Sequence, residues 1–241
     1  MRLPKSNNIQ VEKYVAGMSL FKKRLAKIKL SANESALGPS PKAKKEYLKV
    51  SKSFARYPDS DGTFLRKTLS NKFKIDKNRI ILGSGSDQIF EFICKSYLKK
   101  GDEVITTVFT CTATNIPLLY MGIKIKFADV EKNTMNISIE SVKKLISKKT
   151  KAIICVHYGG LPCDMKNLRL LANKYRIPII EDAAHAIGAT YNGKPIGSLS
   201  EFTTFSFQAI KHFTTGDGGM LTIKDKKLEN KAKRIRWFGI D

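Results

Sequence analysis

The chain has 241 residues, 42% of them hydrophobic, and a formal net charge of +23. That length is ample for a buried core in one large domain or two small ones, and the composition sets aside an intrinsically disordered chain. No apolar run approaches membrane-spanning length, and Met1-Arg2-Leu3-Pro4-Lys5 has no apolar signal core, so neither a membrane nor an export route is expected.

The positive charge raises the possibility of a nucleic-acid partner. The lysines argue otherwise, because pairs such as Lys22-Lys23, Lys44-Lys45, Lys99-Lys100, Lys148-Lys149 and Lys226-Lys227 are spread through every segment. They read as a solvated surface that attracts small anionic substrates, with no nucleic acid bound. The four cysteines, 94, 111, 155 and 163, form no C-x-x-C pair, and three histidines supply no zinc pattern. A reduced, cytoplasmic protein without a metal is expected.

In chain order, residues 1–30 read as a basic arm with a helical pattern near Val11–Lys29. Residues 31–62 are turn-rich, with Gly38-Pro39-Ser40-Pro41 and Pro58-Asp59-Ser60-Asp61-Gly62. Together they are expected to form an N-terminal arm and turn-rich segment, 1–62, ahead of a large domain, 63–241. From Thr63 to Phe73 the apolar spacing is helical. Strands are then predicted at Arg79–Leu82, Glu103–Thr107, Lys124–Val130, Lys151–His157, Pro178–Glu181, Phe202–Phe207 and Met220–Ile223. Helices are predicted at Asp87–Leu98, Ala113–Met121, Ile139–Ser147, Met165–Tyr175 and Lys226–Arg236. Short apolar strands alternating with amphipathic helices predict an α/β fold: a mostly parallel, seven-stranded sheet sandwiched by helices.

Two acid- and lysine-bearing segments point to chemistry. Ile179-Ile180-Glu181-Asp182 is an apolar strand ending in an acid, and Phe205-Ser206-Phe207 belongs to a second strand read as ending in a lysine, Lys211, just before the glycine-rich turn Thr215–Gly219. Pyridoxal 5′-phosphate (PLP) chemistry needs this combination: a lysine to form a Schiff base and an acid to keep the pyridine nitrogen protonated. Glu181 and Asp182 point to opposite sides of a strand, so one of them reaches the site, and Asp182 is the candidate. His185 is placed beside the ring or its phenolic oxygen, with a packed histidine as the competing reading. Ser206 is a candidate phosphate donor. Gly83-Ser84-Gly85-Ser86-Asp87-Gln88 follows a strand and opens a helix, where free N–H groups favour an anion, so this turn is the candidate phosphate cradle.

From about Phe109 to the end, the chain resembles the DegT/DnrJ/EryC1/StrS aminotransferases. The matching residues are Thr112-Ala113-Thr114-Asn115, Val156 through Met165, Glu181-Asp182-Ala183-Ala184-His185-Ala186, and Ser206-Phe207 through Gly219. The resemblance implies a PLP enzyme of fold type I that aminates keto groups on nucleotide-linked sugars, with glutamate as donor. It implies Lys211 as the imine-forming lysine, Asp182 on the pyridine nitrogen, Ser206 on the phosphate and His185 close to the ring. Presence of Lys211 disfavours the dehydratase branch, in which a histidine replaces that lysine.

The front, about 29–104, resembles histidinol-phosphate aminotransferase instead. Lys29 through Pro41, Arg56-Tyr57-Pro58-Asp59 and Leu82 through Gln88 carry that likeness. It implies that Ser86 and Asp87 contact the phosphate and that Tyr57 reaches the partner's phosphate across a homodimer. The chain thus reads as a hybrid joined near 104–109, and amination in histidine biosynthesis is the alternative activity. The aromatic that stacks on the ring in the sugar family aligns with Cys111, while Phe109 lies two residues earlier, and the sequence leaves the stacking residue open. The sequence also ends soon after a basic helix, so the C-terminal small domain of both families is expected to be missing. An inactive PLP-binding fragment is therefore a third reading.

Overall fold

The computed structural model describes residues 33–35 and 37–236, together with the backbone of the pairs 20–21 and 24–25. Seven strands form one sheet: β1 (Ile80–Gly83), β2 (Glu103–Thr107), β3 (Lys124–Ala128), β4 (Thr150–Val156), β5 (Ile179–Asp182), β6 (Phe202–Ser206) and β7 (Gly219–Ile223). Their spatial order is β1-β7-β6-β5-β4-β2-β3. The neighbours from β6 through β3 are parallel, and β7 runs antiparallel between β1 and β6. The predicted strands are all present, with ends displaced by at most two residues.

Period-two alternation builds the sandwich. Ile105, Ile153, Ile179 and Met220 enter one buried cluster, while their neighbours Val104, Ile154, Ile180 and Leu221 enter the other. The central strands therefore read as nearly continuous apolar runs, because both faces are covered. Helices α2 (Thr63–Phe73), α5 (Ile139–Leu145) and α6 (Met165–Tyr175) supply Leu69, Val142, Met165, Leu168 and Ala172 to the first cluster. Helices α3 (Ser86–Tyr97) and α4 (Thr112–Tyr120) supply Ile89, Phe90, Ile93, Cys94 and Leu118 to the second. Each fully buried side chain of this size stabilises the fold by roughly 1.5–3 kcal/mol relative to exposure. Helix α7 (Glu229–Arg236) closes the described chain. Its Glu229 pairs with the buried Arg66 of α2, which also pairs with Asp61.

Three expectations are corrected. The turn-rich stretch 31–62 contains a helix, α1 (Pro41–Ser51). Pro41 occupies its first turn, where a missing N–H costs nothing, so the proline that reads as punctuation starts the helix. Within the helical pattern at Val11–Lys29, Leu20–Phe21 and Arg24–Leu25 pair as antiparallel two-residue strands. The stretch 20–25 is half basic and offers a helix little apolar face to bury, whereas backbone pairing needs none. The rest of that arm lies outside the described residues. Finally, β6 ends at Ser206, so Lys211 stands on the following turn and not at a strand end. Among the described residues, no helix is long and apolar enough to cross a membrane, and no cluster of three His, Cys, Asp or Glu could hold a metal.

Candidate active site

The carboxyl ends of β2, β4, β5 and β6 converge on one edge of the sheet, where α/β proteins bind ligands. In register, Val156 faces Asp182 and Asp182 faces Thr204. The chain leaves this edge under backbone control: His157 N–H donates to Asp182 O (3.0 Å), and Ala183 N–H donates to Thr204 O (2.8 Å).

A cavity of about 220 Å³ opens there, lined by Asp182, Ala184, His185, Lys211, the Phe109–Cys111 turn and Val156–Tyr158. The structure thus brings Lys211, Asp182 and His185 together. Lys211 Nζ donates to His185 Nε2 at 3.2 Å, since an ammonium has no lone pair to accept with. Burial lowers the His185 pKa, and the Lys211 charge lowers it further, so the ring is neutral and able to accept that bond. The lysine turn is fastened to the His185 segment by His212, whose Nε2 donates to Ile187 O at 3.3 Å.

Asp182 is 6% exposed, and both its oxygens have donors. Thr114 Oγ1 donates to Oδ2 at 2.6 Å, and Ala184 N–H donates to Oδ1 at 3.1 Å. Glu181 points the other way, as strand alternation requires. It is fully buried and accepts from His157 Nε2 (2.7 Å), Ser200 N–H (3.1 Å) and Thr203 Oγ1 (3.1 Å). Burial disfavours a charged His157, whereas Cys163 and Glu181 favour it and together raise its pKa above the ordinary value, against what the hydrogen bonds allow. The geometry decides between them. The backbone N–H of Cys163 donates to Nδ1 at 3.1 Å, so Nδ1 keeps its lone pair and the single ring proton sits on Nε2, facing Glu181. His157 is therefore a neutral bracket between the ends of β4 and β5.

The turn after β4 is fixed independently. Buried Asn136 accepts from Tyr158 N–H (3.0 Å) and donates to Leu161 O (3.0 Å) and Pro162 O (3.2 Å). Gly160, at φ +87°, packs so closely that a Cβ there would stand 2.7 Å from the His185 carbonyl oxygen. Tyr158 and Phe109 then meet at the cavity, ring centroids 4.5 Å apart. Phe109, Cys111 and Tyr158 all line it, so an aromatic pair stands where the sequence leaves the stacking residue open.

The remaining sequence candidates lie elsewhere on this edge. Ser206 pairs with Gly219, and Gly219 pairs with Gly83. Gly85 precedes the first residue of α3, and a Cβ on Gly219 would stand 2.5 Å from its carbonyl carbon. Gly85, Ser86, Asp87 and Ser206 are therefore neighbours across β1, β7 and β6, but none lines the cavity that holds Lys211. Tyr57 is 82% exposed on the segment before α2. Thr110, Thr114, Tyr158 and Asn136 acquire their roles only through the fold. Thr114 lies in a segment whose likeness to the sugar family is visible in sequence, but its partner is 68 residues away.

A family model described as the DegT/DnrJ/EryC1/StrS aminotransferase family matches residues 64–241. The chain belongs to that family. The match spans 104–109 and takes in Leu82 through Gln88 of the front, while Lys29–Pro41 and Arg56–Asp59 lie outside it. The chain is 35% identical over 164 residues to the spore coat polysaccharide biosynthesis protein SpsC of Bacillus subtilis, covering 68% of this chain and 42% of that protein. It is 34% identical over 185 residues to GDP-perosamine synthase of Escherichia coli O157:H7, covering 75% and 50%. Among solved structures, a putative sugar aminotransferase of Streptococcus pneumoniae superposes with a TM-score of 0.73 at 28% identity, over 80% of this chain and 54% of that one. That protein is known in PLP and pyridoxamine phosphate (PMP) forms. The chain thus spans about half the length of the curated relatives it matches. The fold is that of PLP enzymes of fold type I, and PLP is the family's cofactor. The donor set fits that cofactor: one cavity presents an amine, a buried carboxylate and an aromatic pair.

Proposed function

We propose that this chain is the PLP-binding part of an aminotransferase that moves an amino group from glutamate to a keto group of a nucleotide-linked sugar. The supporting observation is the cavity shared by Lys211, Asp182 and His185 in a member of a sugar-aminotransferase family. When bound, the cofactor supplies an electron sink that carries nitrogen between two carbonyl compounds. Lys211 holds it through Nζ and, once displaced by the donor's amine, moves a proton between donor and cofactor as base and then acid. Asp182 holds the ring nitrogen in its protonated form. His185, neutral and 3.2 Å from Lys211 Nζ, keeps the lysine directed at the cavity. Gly85, Ser86, Asp87 and Ser206 bind the phosphate. Tyr57 from a second copy completes the site in a homodimer, and residues 63–241 act as the cofactor-binding unit. Glutamate is expected to convert the loaded protein to the PMP form. A keto nucleotide sugar is expected to restore the starting spectrum. Restoration only by the keto precursor of histidinol phosphate would replace the sugar reading with the histidine one. A PLP-loaded protein that ignores every amino acid tested would leave a binding fragment.

A further inference from the structure

Asp182 is held by more than its own strand. Thr114, 1% exposed, gives its only hydroxyl proton to Asp182 Oδ2 at 2.6 Å. Its Oγ1 also lies 2.9 Å from Thr110 Oγ1, so Thr110 must be the donor in that contact. A directed chain of hydroxyls therefore runs from Thr110, on the cavity wall, through Thr114 to the carboxylate. The helix bearing Thr114 is fixed to the site edge by Asn115, whose Nδ2 donates to Thr107 O at the end of β2 (3.1 Å). The last torsion of an aspartate is broad and nearly two-fold, so strand geometry alone does not set the plane of its carboxylate. Two donors from different elements do set it: α4 through Thr114, and the turn after β5 through Ala184.

We propose that Thr114 is a positioning residue for the cofactor. It occupies one lone pair of Asp182 Oδ2 and fixes the carboxylate plane, so that a remaining lone pair faces the ring nitrogen of PLP, with Thr110 as the outer member of the chain. This rests on the reading that Asp182 pairs with that nitrogen. Burial of Thr114 keeps water from replacing the lost donor when the hydroxyl is removed.

The test loads the 241-residue chain with PLP labelled with ¹⁵N in the ring, and compares wild type, Thr114→Val, Thr114→Ser and Asp182→Asn. The readouts are the ring-nitrogen chemical shift and the PLP dissociation constant. A hydrogen bond to a charged group corresponds to about a tenfold change or more, so Thr114→Val is expected to weaken PLP binding about tenfold. Its ring-nitrogen shift is expected to move toward the neutral pyridine value, and Thr114→Ser to restore both readouts. A Thr114→Val protein indistinguishable from wild type would overturn the proposal. So would a Thr114→Ser protein as impaired as the valine variant, because the methyl group and not the hydroxyl would then be at work. An unprotonated ring nitrogen in wild type, or one unmoved by Asp182→Asn, would instead overturn the Asp182 reading itself. Should Thr114→Val fail to fold, Thr110→Val becomes the test: a shift in the same direction supports the chain of hydroxyls, and an unmoved shift overturns it.

Discussion

Replacing Glu181 by glutamine should destabilise the protein, although it preserves shape and adds only one hydrogen-bond donor group. Glu181 Oε2 accepts from His157 Nε2, and Oε1 accepts from both Ser200 N–H and Thr203 Oγ1. A glutamine offers one acceptor oxygen, so its NH₂ must face either the His157 proton or the Ser200 and Thr203 donors. The imidazole cannot escape by moving its proton to Nδ1, because the Cys163 N–H already occupies that lone pair. One buried donor–donor mismatch costs about 2 kcal/mol. Leucine at the same position leaves two geometrically fixed donors unmet, His157 Nε2–H and Ser200 N–H, at about 4 kcal/mol, partly offset by added apolar burial of about 1–2 kcal/mol. Equilibrium urea unfolding measures both effects. In a chain of this size the glutamine variant corresponds to a midpoint lower by about 4–8 °C in a thermal scan. A glutamine variant within about 0.5 kcal/mol of wild type, the scatter of a neutral substitution, would refute the neutral, singly protonated His157 and with it the bracket between β4 and β5.

Two further outcomes follow from the packing and the charges. Glu103 is held down to a pKa of about 2 by its hydrogen bond from Lys126 and then by that from Ser147, against an ordinary value of 4.5. For a carboxyl depressed on folding, the stabilisation is complete above the unfolded value and is lost as pH falls through the folded one. Glu103→Gln is therefore expected to flatten the fall in melting temperature between pH 4.5 and about 2, and an unchanged slope would contradict the pairing. Gly219→Ala places a methyl group 2.5 Å from the Gly85 carbonyl carbon, and neither backbone can yield without parting β7 from the start of α3. A loss of at least about 2 kcal/mol in urea unfolding is expected, of the size seen for overpacking, together with weaker PLP binding. A variant matching wild type in both would remove Gly85 from the phosphate site.

The sheet was legible because its strands are buried on both faces. Runs such as Ile179–Asp182 and Lys151–Val156 have no other stable use in a chain with intervening amphipathic helices. Helix α1 was hidden because Gly38, Pro39 and Pro41 mark a turn and a helix start in the same way, and none of the helix's own residues is buried. Lys211 and Asp182 could be singled out as candidates from local context alone, an acid at a strand end and a lysine ahead of a glycine-rich turn, and the fold brings them to one cavity. Thr114 and His157 were not, because their roles depend on residues 68 and 24 positions away that only the folded packing of helix and sheet brings near. Phe109 and Tyr158 illustrate the same limit. Their ring contact spans the ends of β2 and β4, and neither residue announces it.

The central claim is that Lys211 and Asp182 form a PLP site. Its most direct test is the visible absorption of the purified chain after addition of PLP, compared with that of Lys211→Ala. A visible band in wild type that the alanine variant lacks is the predicted result. The same band in both proteins, or in neither, would contradict the assignment of Lys211 as the residue that binds the cofactor.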